Sequence, residues 1–251
     1  MKKVFALIAA FIPAIAMAAG GHVHLDEHRT DLHDTASLQR GAKIFANYCM
    51  GCHSMEHARY NRVAKDLGIP QEMMMDNLVF ADKKFGDLMT IAMEKEDAKR
   101  WFGNPPPDLT LVARVRRPDW LYTYLRSFYE DPMRPWGVNN VVFKDVDMPN
   151  VLGHLQGTQK MGTAEVKVGI DPLTGQDITE VEDNVLYLAE EGELSAEEFD
   201  KLVYDLVNYM VYMAEPIALE RQTLGWWVLL FLAIFFVPVY MLNKEYWKDV
   251  K

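Results

Sequence analysis

The residues of this chain with the clearest chemistry are Cys49-Met50-Gly51-Cys52-His53, a C-x-x-C-H run. Two thiols three positions apart lie on one face of a helical turn, where both can form thioethers with the vinyl groups of a single porphyrin. The histidine that follows would then stand under the iron, and imidazole nitrogen is a donor suited to that metal. Other chemistries fit the same residues less well. A thioredoxin-like pair sits between an apolar strand and a helix, whereas a helix-like run precedes Cys49. A structural zinc site needs four ligands, and the chain holds 2 cysteines in all. A disulfide would leave His53 without a task. The motif predicts one haem c, covalent through Cys49 and Cys52, with His53 as an iron ligand.

A six-coordinate iron needs a second ligand, and a thioether sulfur is the common choice in electron carriers because it stabilises ferrous iron. The chain offers 15 methionines. Met50 and Met55 are tied to the attachment turn. Met73, Met74, Met75, Met89, Met93, Met210 and Met213 fall in helix-like runs, where filling the core is their expected use. Met133, Met148 and Met161 lie in loop-like stretches able to fold back over a ring. Met148 is the best placed of the three, since Pro149 stiffens its loop and removes a competing backbone donor. Asp145 and Asp147 flank it, and close to the ring their charge would favour ferric iron.

These groups need a scaffold. Ser37 to Tyr48 reads as a helix leading into the haem motif, with Leu38, Ile44, Phe45 and Tyr48 at helical spacing and Gly41 as a shallow place for another helix to approach. A second helix opens at Ser195 with the capping box Ser-Ala-Glu-Glu and carries Phe199, Leu202, Val203, Leu206, Val207, Met210 and Met213 before Pro216. The two are expected to pack on each other. Between them, Phe80 to Lys99 and Asp119 to Phe128 read as helices, the latter with Trp120, Leu121, Tyr124 and Leu125 on one side. Glu165 to Val168 and Asn184 to Leu188 read as short strands around the turn Asp171-Pro172-Leu173-Thr174-Gly175. His22, His24, His28 and His33 crowd the start of the mature chain without a closed ligand set, so a solvated N-terminal strand is expected there.

Both ends point to a membrane. Lys2 and Lys3, the apolar run Val4 to Ala16 and the small residues Ala16-Met17-Ala18 form a secretory signal over residues 1–18. Leu224 to Leu242 holds no charged residue, and at about 1.5 Å per residue it spans about 28 Å, the thickness of a hydrocarbon core. Trp226, Trp227, Tyr246 and Trp247 mark its edges, and Lys244, Lys248 and Lys251 follow it, which predicts a cytoplasmic tail. The expected division is a signal at 1–18, a periplasmic haem domain at 19–216, an anchor at 217–243 and a cytoplasmic tail at 244–251, in a bacterial inner membrane. Loss of Lys2 and Lys3, with no acid in 1–18, takes the formal net charge from -10 to -12. Such a surface excludes nucleic acid as an expected partner and favours encounter with a basic protein. Glu180, Glu182, Asp183, Glu190, Glu191 and Glu193 are candidates for steering it.

Several segments in fixed order resemble the cytochrome c1 family: C-x-x-C-H, then Asn104-Pro105-Pro106-Pro107-Asp108-Leu109-Thr110 with the arginines beyond it, then Asp147-Met148-Pro149-Asn150-Val151-Leu152 with Leu155-Gln156-Gly157, then the single span. The resemblance implies that Met148 is the second axial ligand, that Pro106, Pro107, Asp108 and Leu109 line the haem edge, and that Arg116 meets a haem propionate, with Arg114 and Arg117 as rivals. Arg117-Pro118-Asp119-Trp120 departs from the family's Gly-rich turn and tyrosine. The implied fold is mainly α, a cytochrome c-like haem domain with a few short strands and long loops plus one C-terminal transmembrane helix. The implied role is electron transfer without bond-making on this chain, from the Rieske iron–sulfur protein to a soluble cytochrome c, beside cytochrome b in a dimeric ubiquinol–cytochrome c reductase.

Overall fold

The computed structural model describes residues 23–80, 82–170 and 172–248, without the side chains of 164–166, 168, 178 and 180–182. The expected signal at 1–18, His22 and Lys251 lie outside the described residues. So do the side chains of Glu180 and Glu182.

Two helices form the centre. Helix α1, Thr35–Ile44, starts where the Asp34 carboxylate accepts the Ser37 N–H, and it runs directly into a π-helical turn, Phe45–Cys49, that ends on the first cysteine. The wider turn stops the expected helix four residues short of Tyr48 and delivers Cys49 to the core. After β1 (Met55–Arg59) come α2 (Tyr60–Leu67), α3 (Gln71–Asn77), β2 (Leu88–Met89), α4 (Lys95–Phe102), α5 (Val112–Arg116) and α6 (Pro118–Arg126). Then β3 (Phe128–Glu130), β4 (Val138–Asn140), α7 (Gly153–Gln156), β5 (Gly157–Ile170) and β6 (Asp177–Glu191) lead to α8 (Ala196–Ala214) and α9 (Ala218–Tyr246). The strands pair as three separate antiparallel ribbons, β1 with β2, β3 with β4 and β5 with β6. The chain is mainly helical with a few strands and one apolar C-terminal helix.

Helix α8 carries the capping box expected at Ser195 and Glu198, with both reciprocal hydrogen bonds formed. Its apolar residues Phe199, Val203, Leu206, Val207, Met210 and Met213 are buried, Leu206 and Met210 against an apolar cavity, and the helix packs on α1. The two helices meet at Gly41, where a Cβ would lie 2.1 Å from the Asp205 carbonyl oxygen and 2.5 Å from the Tyr209 Cβ. Only hydrogen at that position lets the backbones approach so closely. The Asp205 side chain is buried there, yet it accepts from Ser37 Oγ at 2.6 Å and from Arg40 at 2.6 and 2.9 Å, so its charge is paired.

Further expectations need correction. Phe80 to Lys99 is not a helix: the segment turns back so that Asn61 N–H donates to the Phe85 carbonyl and Tyr60 N–H to that of Asp87, and Met89 pairs with Met55. Only its end, from Lys95, is helical, since tertiary pairing to β1 and α2 overrides the local pattern. Asp119 to Phe128 begins one residue earlier, at Pro118, whose fixed φ suits a first helical turn, and ends at Arg126, leaving Phe128 to β3. The N-terminal segment is not simply solvated. His28 is buried, stacked on Tyr204 with centroids 4.8 Å apart, and its N–H donates to Asp119 at 2.9 Å. Burial pushes the His28 imidazole below its ordinary value, against the smaller opposing pull of the Tyr204 carbonyl and Asp119.

The two short strands expected in the acidic region lie within a much longer hairpin, β5 with β6, where Gly157 pairs with Glu191 and Ile170 with Asp177, and they are not each other's partners: Glu165 pairs with Val181 and Val185 with Gly162. Helix α9 has a mean hydropathy of 2.2 and no part of its apolar window is buried against the rest of the chain. Its 29 residues make about 43 Å, enough for the hydrocarbon core and part of both headgroup layers. The aromatic pairs Trp226–Trp227 and Tyr246–Trp247 are about 30 Å apart along it, the separation expected of two interfacial belts.

Candidate haem site

Cys49, Cys52 and His53 are brought to one wall of a cavity of about 450 Å³. That is a ligand-sized volume, lined almost wholly by apolar side chains. The attachment turn is tight because one carbonyl, that of Cys49, accepts both the Cys52 N–H at 3.1 Å and the His53 N–H at 2.9 Å. His53 is buried, and its Nδ1 lies 2.8 Å from the Pro107 carbonyl. A carbonyl can only accept, so Nδ1 carries the proton and Nε2 is left with its lone pair for a metal. Burial lowers the His53 pKa, more than the Pro107 carbonyl and Asp108 raise it, which keeps the ring neutral as a ligand must be.

The donor set fits a covalently held haem better than a thiolate site. Burial pushes the Cys49 thiol up to about 12, with Cys52 adding a smaller push, and burial raises Cys52 as well. Neither sulfur is disposed to be a thiolate nucleophile or metal ligand, whereas a thioether carries no charge to desolvate. The proline run is docked to the same turn from the other direction, for Leu109 N–H donates to the Ser54 carbonyl at 2.9 Å. Pro105, Pro106, Pro107 and Leu109 line the cavity. Asp108 does not: its carboxylate turns back to accept from the Glu56 and Thr110 N–H groups, and so braces the loop rather than a ring edge.

Among the three loop methionines the geometry discriminates. Met148 lines the cavity, whereas Met133 is 90% exposed and Met161 lies out in the β5–β6 hairpin. Met210, read from its helical run as core, also reaches the cavity wall from α8. The Met148 loop is held from behind. Arg134 donates to the carbonyl of Asp145 at 2.6 Å and of Val146 at 3.3 Å, and to the Asp147 carboxylate at 3.3 Å. Asn104 donates to the other Asp147 oxygen at 2.8 Å, joining this loop to the proline run. The negative charge of Asp145 and Asp147 is thus answered by Arg134. Nothing in the spacing of the sequence marks Arg134 for this role.

Of the three candidate arginines, Arg116 lines the cavity. Arg114 pairs with Glu215 at 3.3 Å and Arg117 with Asp119 at 3.6 Å, while the Arg116 guanidinium lies 5.1 Å over the Trp120 ring and 5.7 Å from that of Phe143. Among the described residues no carboxylate stands within ion-pair distance of Arg116, so its fork is available to an anion at the cavity edge. Trp120 stacks on Tyr124 with centroids 4.8 Å apart and planes 9° from parallel, and the Tyr124 hydroxyl lies 3.3 Å from the Met148 sulfur. Burial raises the Tyr124 phenol far out of the physiological range, so it stays a neutral donor. Trp120 and Tyr124 were legible only as apolar positions of a helix, because their polar tips carry no spacing signal.

A pocket with a C-x-x-C-H turn in its wall, a metal-ready histidine and a thioether, joined to a membrane-length apolar helix, defines a membrane-anchored haem c domain of the electron-transfer class. The chain belongs to the cytochrome c1 family: that family's profile matches residues 26–167 and 177–250. The stretch between them is the tip of the β5–β6 hairpin. The chain is 51% identical over 249 residues to cytochrome c1 of Allochromatium vinosum, covering 99% of each. It is 43% identical over 250 residues to a protein of Nitrosomonas europaea named ammonia monooxygenase gamma subunit, covering 100% of this chain and 99% of that one. It is 27% identical over 287 residues to cytochrome c1 of Rhodospirillum rubrum, covering 98% and 97%. The chain is accordingly a membrane-anchored haem c electron-transfer subunit of the respiratory bc1 complex, and Cys49 and Cys52 fit the attachment motif of that cofactor.

Proposed function

We propose that His53 and Met148 are the two axial ligands and that Arg116 meets a haem propionate. The observation that carries this reading is the His53–Pro107 hydrogen bond inside a cavity that Met148 also lines. It commits the imidazole to the tautomer whose Nε2 keeps its lone pair for a metal. Cys49 and Cys52 would hold the ring by thioethers, and Pro106, Pro107 and Leu109, which line the cavity, would pack along it and exclude water. Bound haem would supply a one-electron ferric–ferrous couple, and the chain would serve to pass an electron from the Rieske iron–sulfur protein to a soluble cytochrome c. The chain's own residues would do the rest: His53 and Met148 would hold the iron, which limits rearrangement, and Arg116 would offset propionate charge at the edge.

In this reading residues 1–18 are removed on export, the haem domain at 19–216 stands in the periplasm, the anchor at 217–243 packs beside cytochrome b, and the tail at 244–251 is cytoplasmic. Tail lysines after the span support that orientation. The exposed acids Asp183, Glu190, Glu191 and Glu193 would speed encounter with a basic acceptor, in the salt-dependent way of surface charge. The complex is taken to be dimeric.

The test is to solubilise the complex in detergent through a tag on the cytoplasmic tail, add quinol, and follow the c-type haem spectrum with and without a quinol-site inhibitor. Inhibitor-sensitive reduction with a co-purifying b-type haem is the expected result. A haem that quinol leaves oxidised, with no partner retained, would mean a free-standing carrier. Ferrous protein that binds carbon monoxide readily would mean an open iron position, as an oxygen-activating or sensing role needs.

A further inference from the structure

We propose that Glu215 is a positioning residue for electron delivery: it braces the haem domain on the membrane helix and so fixes how the haem stands relative to the membrane. The inference rests on the reading of α9 as an anchor and goes beyond it. Helix α8 ends at Ala214 and α9 begins at Ala218, so three residues join the domain to the span. Glu215 leaves the helix with φ -153°, since Pro216 bars the residue before it from continuing the turn, and its carbonyl accepts the Ala218 N–H at 3.0 Å.

Backbone alone leaves such a joint free to swivel. No part of the apolar window of α9 is buried against the rest of the chain, and Ile217 is half exposed. The Glu215 side chain closes the joint from both sides. One carboxylate oxygen accepts from Arg221 Nε, near the start of α9, at 2.5 Å, and the other lies 3.3 Å from Arg114 Nη1 on α5. Arg114 stands two positions before Arg116, which lines the cavity, and α5 itself packs on α8. A single carboxylate thus links the cavity edge to the top of the span. Among the described residues, no other side chain of α9 makes a hydrogen bond or ion pair to the haem domain. The hydrogen bond from Arg221 holds the Glu215 carboxyl below its ordinary value, against a smaller opposing effect of burial and with help from Arg114, so the brace stays charged.

Both arginines are more than half exposed, and pairs of that kind add little to the stability of a fold. Direction is a different matter, because a joint with few other contacts needs only a small preference to hold one rotation. A swing there changes the distance from the haem to its partners in the complex, and electron transfer depends steeply on distance.

Glu215→Gln keeps the shape of the side chain and removes its charge. An exposed pair biases an equilibrium by about twofold to fivefold, so in oriented membrane layers holding the intact complex the linear dichroism of the c-type haem band should fall by about twofold or more. Quinol-driven reduction of that haem should slow by a similar factor, while its spectrum and potential stay those of the parent. Arg221→Gln should reproduce both losses from the anchor side, and the double variant should be no worse than either single one, because the two residues act through one bond. Glu197→Gln, at the other end of α8, should match the parent. Parent dichroism in both Glu215→Gln and Arg221→Gln would overturn the proposal and leave the anchor reading standing. So would dichroism lost only together with haem or potential, which would make the residue a general support of the fold, or lost with no slowing of reduction. A parent chain that alkaline carbonate washes off the membrane would mean that α9 is no anchor, and the proposal fails with that reading.

Discussion

Gly41→Ala inverts the usual expectation for a helical glycine. In the middle of α1 an alanine would ordinarily stabilise by about 1 kcal/mol, because glycine has more backbone entropy to lose. Here the added carbon would lie 2.1 Å from the Asp205 carbonyl oxygen and 2.5 Å from the Tyr209 Cβ, with the Asp205 carbonyl carbon at 2.9 Å. An ordinary carbon–oxygen contact is about 3.3 Å or more, so α1 and α8 must separate by about 1 Å. The obstacle is backbone and a Cβ, neither of which can swing away. Overpacking of this kind costs about 1–3 kcal/mol. The separation also stretches the buried Ser37–Asp205 and Arg40–Asp205 bonds, and leaving the carboxylate poorly paired costs about 1–3 kcal/mol more. After subtracting the propensity gain, the net loss is about 1–5 kcal/mol. At about 2–4 °C per kcal/mol for a domain of this size, the melting temperature of the haem-loaded chain in detergent should fall by about 2–20 °C. Gly86→Ala, where nothing stands within 4 Å of the added carbon, is the matched control and should be close to neutral. A Gly41→Ala melting temperature equal to or above the parent's would refute the close packing of these two helices.

Three other outcomes follow from the same geometry. Replacing Cys49 and Cys52 together by serine should leave no haem on the chain after denaturing electrophoresis, whereas either single replacement leaves one thioether; haem retained by the double variant would break the attachment assignment. Arg116→Gln should lower the haem potential by less than about 60 mV, and by less again at high salt because the side chain is exposed; Arg114→Gln, whose parent side chain pairs with Glu215, should not, and equal shifts would remove Arg116 from the propionate. His28 has a folded pKa below 6.5, so as pH falls the unfolded chain binds a proton first, and stability drops as pH passes below about 6.5 until the folded value is reached. The loss in denaturant midpoint between pH 7.5 and pH 5 should be smaller in His28→Gln than in the parent; an equal loss would mean that another group carries the acid sensitivity.

Much of the site was legible because its chemistry depends on short-range spacing. Cys49, Cys52 and His53 fall on one turn, and the capping box at Ser195 and the glycine at position 41 each announce a local geometry that the fold then uses. The span at the C-terminus was equally open to reading, since length and absence of charge are properties of one segment. What the sequence hid depends on partners far away in the chain. Phe80 to Lys99 carries a helical pattern but is claimed by pairing with β1 and by the two N–H groups at the start of α2. His28 sits among polar neighbours in sequence and is buried only because Tyr204, 176 residues later, covers it.

The same division explains why three loop methionines stayed open to a reader of spacing, and why resemblance was needed to choose between them. A loop has no periodicity to show which way it folds; its path here is set by Arg134 gripping two carbonyls and by Asn104 reaching Asp147 across 43 positions. Those are single polar side chains acting on backbone, and any surface arginine or asparagine looks the same in a sequence. In the proposed reading, ligand identity thus rests on the residues that hold the loop as much as on the sulfur it presents. The order of dependence is also the order of exposure to mutation. In the proposed reading, changes at Cys49, Cys52 or His53 remove a donor outright, while changes at Arg134 or Asn104 leave every donor present and loosen where one of them points.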